Sequence, residues 1–259
     1  MQLIPRNLRR RDRDPEAAMT LVEHLEELRT RLFIALGAVA LASVIGWFLY
    51  PSVLSLLRHP FCQTIAQLPK GQRPPTGCQF VFSGVIDPVI IKLKVVAFLG
   101  LIIALPVVLY ELWAFIVPGL TRRERGMAIP FIATSIVLFV LGVALAYWTL
   151  PKALKFLIGF AGSGLVPILY ADRFLSFMML VAFAFGLSFE FPIVLVFLTL
   201  AGVIGSRQLR SWRRGAIVFI AIFAAVITPS QDPYTMLAMT IPMVLFYEAA
   251  IIVARILKK

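Results

Sequence analysis

The sequence predicts an all-α integral membrane protein with six transmembrane helices, on three observations. Of its 259 residues, 60% are hydrophobic and only 15% are charged, which leaves a soluble domain too few polar side chains to cover its surface. Apolar runs of about 20 residues, the length that crosses a bilayer, recur along the chain. Lysine and arginine are concentrated in alternate segments between these runs, as in multispanning proteins.

Each predicted span is an apolar run bounded by charged residues, proline or polar clusters. The six runs are residues 32–50, 88–116, 128–150, 174–200, 214–228 and 235–253. The fifth run is short. At about 1.5 Å per residue it barely crosses a hydrocarbon core of about 30 Å, so the bilayer is expected to thin there.

The distribution of positive charge predicts the topology. Seventeen of the 25 lysines and arginines precede the first run, follow the sixth, or lie between the second and third or the fourth and fifth, if Arg214 at the first position of the fifth run is counted. The positive-inside rule then places both termini in the cytoplasm. The net charge of +12 is therefore mainly topological, and no nucleic-acid partner is expected.

The charge pattern also suggests a division of the chain. Residues 1–19 are predicted to be a basic, disordered cytoplasmic arm, and residues 20–259 a single membrane domain. Because about thirty mostly polar residues precede the first run, that run is interpreted as an anchor and not as a cleavable signal.

The two cysteines, Cys62 and Cys78, fall in the first predicted outer loop, "HPFCQTIAQLPKGQRPPTGCQF". A disulfide between them would close a loop of about 17 residues and stabilise the fold by about 3 kcal/mol. The alternative is two unpaired thiols. No second ligand cluster accompanies them, so no metal site is predicted.

The stretch "TLVEHLEELRTRL", residues 20–32, predicts a short amphipathic helix at the membrane surface that continues toward the first span. Thr20 and Glu23 form a capping box that starts it. Glu23, Glu27 and Arg31 follow one another at i, i+4 on one face, and the stretch also carries a leucine stripe. Local pairing of Glu27 with Arg31 would account for this pattern without any function.

A second carboxylate favours a binding function over local pairing alone. In "VPGLTRRERGMAIP", Glu124 is the only acid, and this loop faces the same side of the membrane as Glu27. Two carboxylates at one surface can bind a ligand with two adjacent guanidinium groups, because the arginine fork matches carboxylates bidentately.

Three stretches carry a family resemblance: "HLEELRTRL", "LPVVLYELWAFIVPGLTRRER" and "AFGLSFEFPIVL" resemble the signatures of TatC, the multispanning subunit of the twin-arginine protein translocase. The resemblance implies a concave six-span bundle that receives signal peptides with paired arginines on folded cargo. It implies that Glu27 and Glu124 hold the arginines, with Glu23 on the same ridge and Phe115 as a secondary contact.

The resemblance also implies partners and location. These are TatA-like and TatB-like single-span subunits, further copies of the chain in a TatBC-type complex, and a prokaryotic cytoplasmic membrane whose proton-motive force drives transport. Gly142 and Ala146, at i, i+4, would permit close contact with a partner helix. No enzyme or cofactor is expected, because no Walker, H-E-x-x-H or G-x-S-x-G motif occurs.

Glu190, in "GLSFEFP", falls near the middle of the fourth run, where an ionisable group is costly and suggests a function. Pro192 predicts a bend beside it. The resemblance favours a partner-binding or gating role. Two alternatives stay open: a protonated structural glutamate, and a proton-coupled secondary transporter that uses Glu190.

Four further acids are interpreted as structural. Glu111 and Glu248 lie near the cytoplasmic ends of the second and sixth runs, where they can reach headgroup water. Asp87 and Asp232 are predicted to be the N-caps of the second and sixth transmembrane helices.

Overall fold

The structure, a computed structural model, describes residues 21–116, 128–160, 167–168, 170–200, 202–230 and 232–256. Within these ranges the architecture is all-α, as predicted, with one isolated bridge between Val81 and Tyr170 and no strand. The α-helices are α1 (Leu21–Gln67), α2 (Asp87–Ile103), α3 (Leu105–Ile116), α4 (Ala128–Gly159), α5 (Ala171–Ser188), α6 (Phe191–Leu200), α7 (Ser206–Ile227) and α8 (Pro233–Ile256). The predicted arm, residues 1–19, lies outside the described residues.

Four of these units are long and apolar enough to cross a membrane: α1, α4, α8, and α5 together with α6. The pair α2 and α3 makes a fifth candidate if the two helices, which meet at 58°, count as one span. Helix α7 is not among them, because arginines occupy its first turns and leave a short apolar part. The chain is thus a membrane protein, and the count of six stays a prediction.

The helix predicted from residue 20 toward the first span is confirmed as the start of α1, but the outer loop predicted after residue 50 is wrong in its first part, which is helical. Helix α1 runs without a break for 47 residues, through the predicted outer loop as far as Gln67, so Cys62 is helical. At about 1.5 Å per residue α1 is about 70 Å long, more than twice the hydrocarbon core. The helix continues past residue 50 because Leu57, Phe61 and Ile65, at i, i+4 spacing, are buried against other helices.

Prolines mark the irregular points of the helices. Inside α1, Pro60 has no N–H to donate to the Leu56 carbonyl, and the Tyr147 hydroxyl donates to it instead at 3.0 Å. Pro106 and Pro192 are the second residues of α3 and α6, where each helix follows a break. The helix is interrupted beside Pro192, where Phe189 and Glu190 form a turn between α5 and α6, and the predicted bend there stays a prediction.

The C-terminal end of α1 packs with the ends of α2, α4 and α5, a region called the disulfide end below. The rings of Phe61, Phe80 and Phe174 lie 5.4–5.6 Å apart. Cys62 and Cys78 form a disulfide across this region, with their Cα atoms 4.9 Å apart. This end is therefore a packed, covalently tied unit.

Two glycines permit close helix crossings. A Cβ atom on Gly100 of α2 would lie 2.8 Å from the Val39 carbonyl oxygen of α1, and one on Gly142 of α4 would lie 2.6 Å from the Phe185 carbonyl oxygen of α5. Gly142 and Ala146, whose small size would also permit contact with a partner helix, are buried within the chain. A small-residue pair cannot reveal from sequence which helix it contacts.

The predicted caps differ in outcome. Asp232 directly precedes α8, and its carboxylate accepts the Thr235 N–H at 2.9 Å, which confirms the predicted N-cap. Asp87 is itself the first residue of α2, and its carboxylate accepts the backbone N–H groups of Ser83 at 3.0 Å and Gly84 at 2.7 Å. The prediction for Asp87 is wrong, since it holds the preceding turn.

Candidate functional site

At the N-terminal end of α1, one guanidinium lies between two carboxylates. Arg31 Nε donates to Glu27 Oε1 at 2.9 Å, one helical turn away, and Arg31 Nη1 donates to Glu111 Oε2 of α3 at 3.0 Å. The side chains of Glu27, Arg31 and Glu111 are 19%, 25% and 11% exposed, so the group is largely shielded from water. These three residues are called the carboxylate cluster, and this end of the molecule the carboxylate end.

Helix α3 brings Glu111 to α1. The two helices pack directly against each other. Trp113, two residues after Glu111, is only 4% exposed and donates its indole N–H to the Ser135 hydroxyl of α4 at 3.3 Å. Because Trp113 anchors α3 on α4, the Glu111 side of α3 is held against α1.

Glu27 retains an unused acceptor. Its second oxygen, Oε2, is buried and accepts no hydrogen bond from any described residue. A buried carboxylate oxygen without a donor costs free energy, so this oxygen is suited to receive a hydrogen bond from a ligand. The cluster has two carboxylates and one guanidinium, hence a formal charge of −1 that favours a further cation.

The other residues predicted for the signal-peptide site fall at the same end or outside the described residues. The Phe115 ring stacks on the His24 imidazole, with centroids 4.3 Å apart and an angle of 14° between the planes. Glu23 is exposed one turn before Glu27. Glu124 lies in the stretch 117–127, outside the described residues. The structure therefore brings Glu23, Glu27 and Phe115 together.

The leucine stripe of α1 faces outward at this end. Leu25, Leu28 and Leu32 are 62%, 41% and 55% exposed. They present an apolar surface to lipid or to another helix, while Glu27 and Arg31 turn toward α3.

Glu190 occupies a separate site at the break between α5 and α6. Its Oε1 is buried and accepts no hydrogen bond from the described residues. The Ser135 hydroxyl, which accepts the Trp113 N–H, also contacts the Glu190 carboxyl. Helix α3 thus contributes Glu111 to the carboxylate cluster and Trp113 to the group around Glu190.

Sequence reasoning assigned no binding role to Arg31 or Glu111. Their ion pair joins residues 80 positions apart, which no local pattern indicates. The sequence signal that could have indicated Glu111 was weak, because it was only that Glu111 is the acid nearest the end of the second apolar run.

Glu248, expected to be structural, accepts a hydrogen bond from Arg213 Nε at 2.5 Å and links α8 to α7. Cys62 and Cys78 lie at the disulfide end, on the other end of α1.

The chain is similar to known proteins over most of its length. The family described as "Sec-independent protein translocase protein (TatC)" matches residues 23–242. A protein of that name from Frankia casuarinae is 44% identical over 253 residues, covering 95% of this chain and 68% of the relative. Another from Aquifex aeolicus is 38% identical over 241 residues, covering 92% of this chain and 95% of the relative.

A solved structure agrees with the sequence relatives. The crystal structure described as that of the twin-arginine translocase receptor TatC superimposes with a TM-score of 0.72 at 37% identity, and the match covers 92% of this chain and 100% of the solved chain. On its fold, its apolar spans and these similarities, the chain belongs to the TatC family of Sec-independent protein translocase proteins, which are components of a membrane transport system and not a known enzyme family.

Proposed function

We propose that this chain is the membrane receptor for twin-arginine signal peptides, and that Glu27 and Glu124 bind the two guanidinium groups. Glu23 adds negative charge on the same ridge, and Phe115 contacts the peptide beside the arginines. The observation that carries the proposal is the buried, unpartnered Oε2 of Glu27, in a cluster that already holds the guanidinium of Arg31. The similarity to a solved TatC described as a receptor supports it.

Two separate carboxylates account for a ligand with two arginines. The carboxylate cluster has a formal charge of −1, and Glu124 supplies a second carboxylate. Arg31 occupies Oε1 of Glu27, which leaves Oε2 for the first arginine of the peptide and Glu124 for the second. A lysine pair supplies the same charge without the planar fork, so it is expected to bind less well.

The site requires a defined topology. In the proposal the chain crosses a prokaryotic cytoplasmic membrane six times, with α7 as the short fifth span and both termini in the cytoplasm. The asymmetry of lysine and arginine supports this orientation. The carboxylate end then faces the cytoplasm, where signal peptides arrive on folded cargo.

The apolar part of the signal peptide lies against the helices in this proposal. A cavity of about 310 Å³ lined by Phe131, Ile193 and Phe246, among other apolar residues, opens between α4, α6 and α8. It lies near the start of α4 and the C-terminal half of α8. TatA-like and TatB-like subunits, and further copies of the chain, would pack on exposed helix faces such as the leucine stripe of α1.

Glu190 is proposed to act in gating or partner binding after the peptide has bound. The contacts from Trp113 through Ser135 to Glu190 support this role, because they join Glu190 to α3, the helix that carries Glu111. The competing candidate is a proton-coupled transporter of small solutes. Glu190→Gln is expected to leave peptide affinity unchanged and to lower protein export, whereas proton-coupled solute flux into vesicles that is lost in this variant would favour the transporter.

The binding role is tested by titrating the purified chain with a twin-arginine peptide. Glu27→Ala and Glu124→Ala are each expected to weaken binding by about tenfold to a hundredfold, since charge-assisted hydrogen bonds contribute about 1.5–3 kcal/mol. Glu27→Lys should weaken it further through repulsion. Glu26→Ala, which removes the same charge from an exposed neighbour, is the matched control. Unchanged affinity in both site variants would reject the assignment.

A further inference from the structure

A polar cavity lies at the disulfide end, apart from the carboxylate cluster and from Glu190. It has a volume of about 640 Å³ and lies between the C-terminal ends of α1 and α4 and the start of α8. Its lining includes two lysines, two glutamines and three aromatic residues. These are Lys152, Lys155, Gln63, Gln67, Trp148, Phe156 and Tyr234.

The cavity is positively charged without an acidic counterpart. Lys152 Nζ lies 3.0 Å from the centroid of the Trp148 ring, and Lys155 Nζ lies 3.4 Å from Oε1 of Gln67. No carboxylate in the described part of the chain forms an ion pair with either lysine. Asp232, which precedes Tyr234, is 2% exposed and caps α8, so it does not neutralise them.

The sequence places this cavity near the predicted level of the lipid headgroups. Lys152 comes two residues after the apolar run 128–150, although α4 itself continues to Gly159. Trp148 and Tyr234 are 63% and 49% exposed, as expected for aromatic side chains in the interfacial belt. Lysine side chains at such positions extend their ammonium groups toward the headgroup layer.

We propose that this cavity binds an anionic glycerophospholipid. The lipid phosphate lies against the ammonium groups of Lys152 and Lys155, the side chains of Gln63 and Gln67 supply polar contacts to the headgroup, and Trp148 flanks the glycerol and upper acyl chain. Inorganic phosphate shares the charge but has no group for the apolar side of the cavity. A lipid is therefore the occupant, and the site requires only that the chain spans a membrane.

The test measures lipid retention by the full chain in detergent, using native mass spectrometry. The probes are phosphatidylglycerol, phosphatidylcholine and inorganic phosphate. The wild type is expected to retain phosphatidylglycerol in preference to phosphatidylcholine. Replacing both lysines, Lys152→Gln with Lys155→Gln, should weaken retention by about thirtyfold, because each lysine at an anionic lipid surface contributes about a fivefold factor.

Two matched variants separate a site from general surface charge. Lys92 also lies over a tryptophan, with Nζ 3.5 Å from the Trp47 ring centroid, but it does not line the cavity, so Lys92→Gln should retain the lipid as the wild type does. Lys152→Arg with Lys155→Arg keeps the charge and should restore retention. Equal retention in the double glutamine variant and the wild type would overturn the proposal, as would displacement of the lipid by equimolar inorganic phosphate.

Discussion

The two ends of α1 have the same kind of sequence and opposite environments. At the disulfide end, Phe61 and Ile65 are 2% and 5% exposed and pack against other helices. At the carboxylate end, Leu25 and Leu28 have similar helical spacing but are 62% and 41% exposed. An apolar stripe therefore predicts a helix with an apolar face, while the rest of the fold decides whether that face is buried within the chain or left to lipid and partners.

The hydrogen bonding of polar groups also differs between the two ends of α1. At the disulfide end Arg73 donates to the Leu68 and Ala66 carbonyls at 2.9 and 2.8 Å, which satisfies the last turn of α1. At the carboxylate end Glu27 keeps a buried oxygen without a donor. One end of α1 stabilises the fold, and the other is arranged to bind a cation.

The largest expected effect is on stability at the disulfide end. Phe61→Ala removes a buried ring and should lower the free energy of unfolding by about 3–5 kcal/mol, measured by thermal unfolding in detergent. Leu25→Ala, the matched change on the exposed stripe, should alter it by less than about 0.5 kcal/mol. Similar losses in the two variants would contradict the contrast between the ends.

The disulfide should have the next largest effect. Replacing both cysteines, Cys62→Ala with Cys78→Ala, is expected to cost about 3 kcal/mol of unfolding free energy because the unfolded chain regains loop entropy. Peptide affinity should stay at the wild-type value, since the bond lies at the other end of α1. Treatment of the wild type with a reductant is the control. A stability that neither treatment changes would mean that the bond contributes nothing.

A smaller effect distinguishes the members of the carboxylate cluster. Arg31→Gln makes the cluster more negative and frees Oε1 of Glu27, so twin-arginine peptides should bind about fivefold more tightly. Glu111→Gln removes a negative charge and should weaken binding by about the same factor. Arg29→Gln, an exposed neighbour, controls for net charge. If both cluster variants change the peptide Kd in the same direction, Arg31 does not compete with the ligand.

Local rules account for much of the fold. The composition predicted the all-α membrane architecture, Pro192 predicted an irregularity beside Glu190, where the helix is interrupted, and the position of Asp232 before Pro233 predicted a cap. Each of these depends on residues within one or two turns. The extent of α1 was not predictable in this way, because residues 51–67 are helical through contacts with α2, α4 and α5, which lie far away in sequence.

The candidate site was predicted only in part for the same reason. Helical spacing placed Arg31 beside Glu27, and the structure agrees. The sequence did not show that Glu111 completes the pair, because the 58° bend between α2 and α3 and the anchoring of Trp113 determine where that carboxylate lies. The assignment of Glu124 to the site stays a prediction.

Site-specific photocrosslinking of a twin-arginine signal peptide tests the central claim most directly. Photoreactive residues at positions 23, 27 and 124 probe the carboxylate end, and residues at the exposed positions 58 and 67 probe the disulfide end. The peptide is supplied in excess of its weakened Kd, because a photoreactive residue at 27 or 124 removes one of the two proposed carboxylate ligands. The account predicts crosslinks from the first three positions to residues beside the paired arginines, lost when those arginines are replaced by glutamine, and none from positions 58 and 67. A bound peptide that crosslinks from the disulfide end, and not from positions 23, 27 and 124, would contradict it.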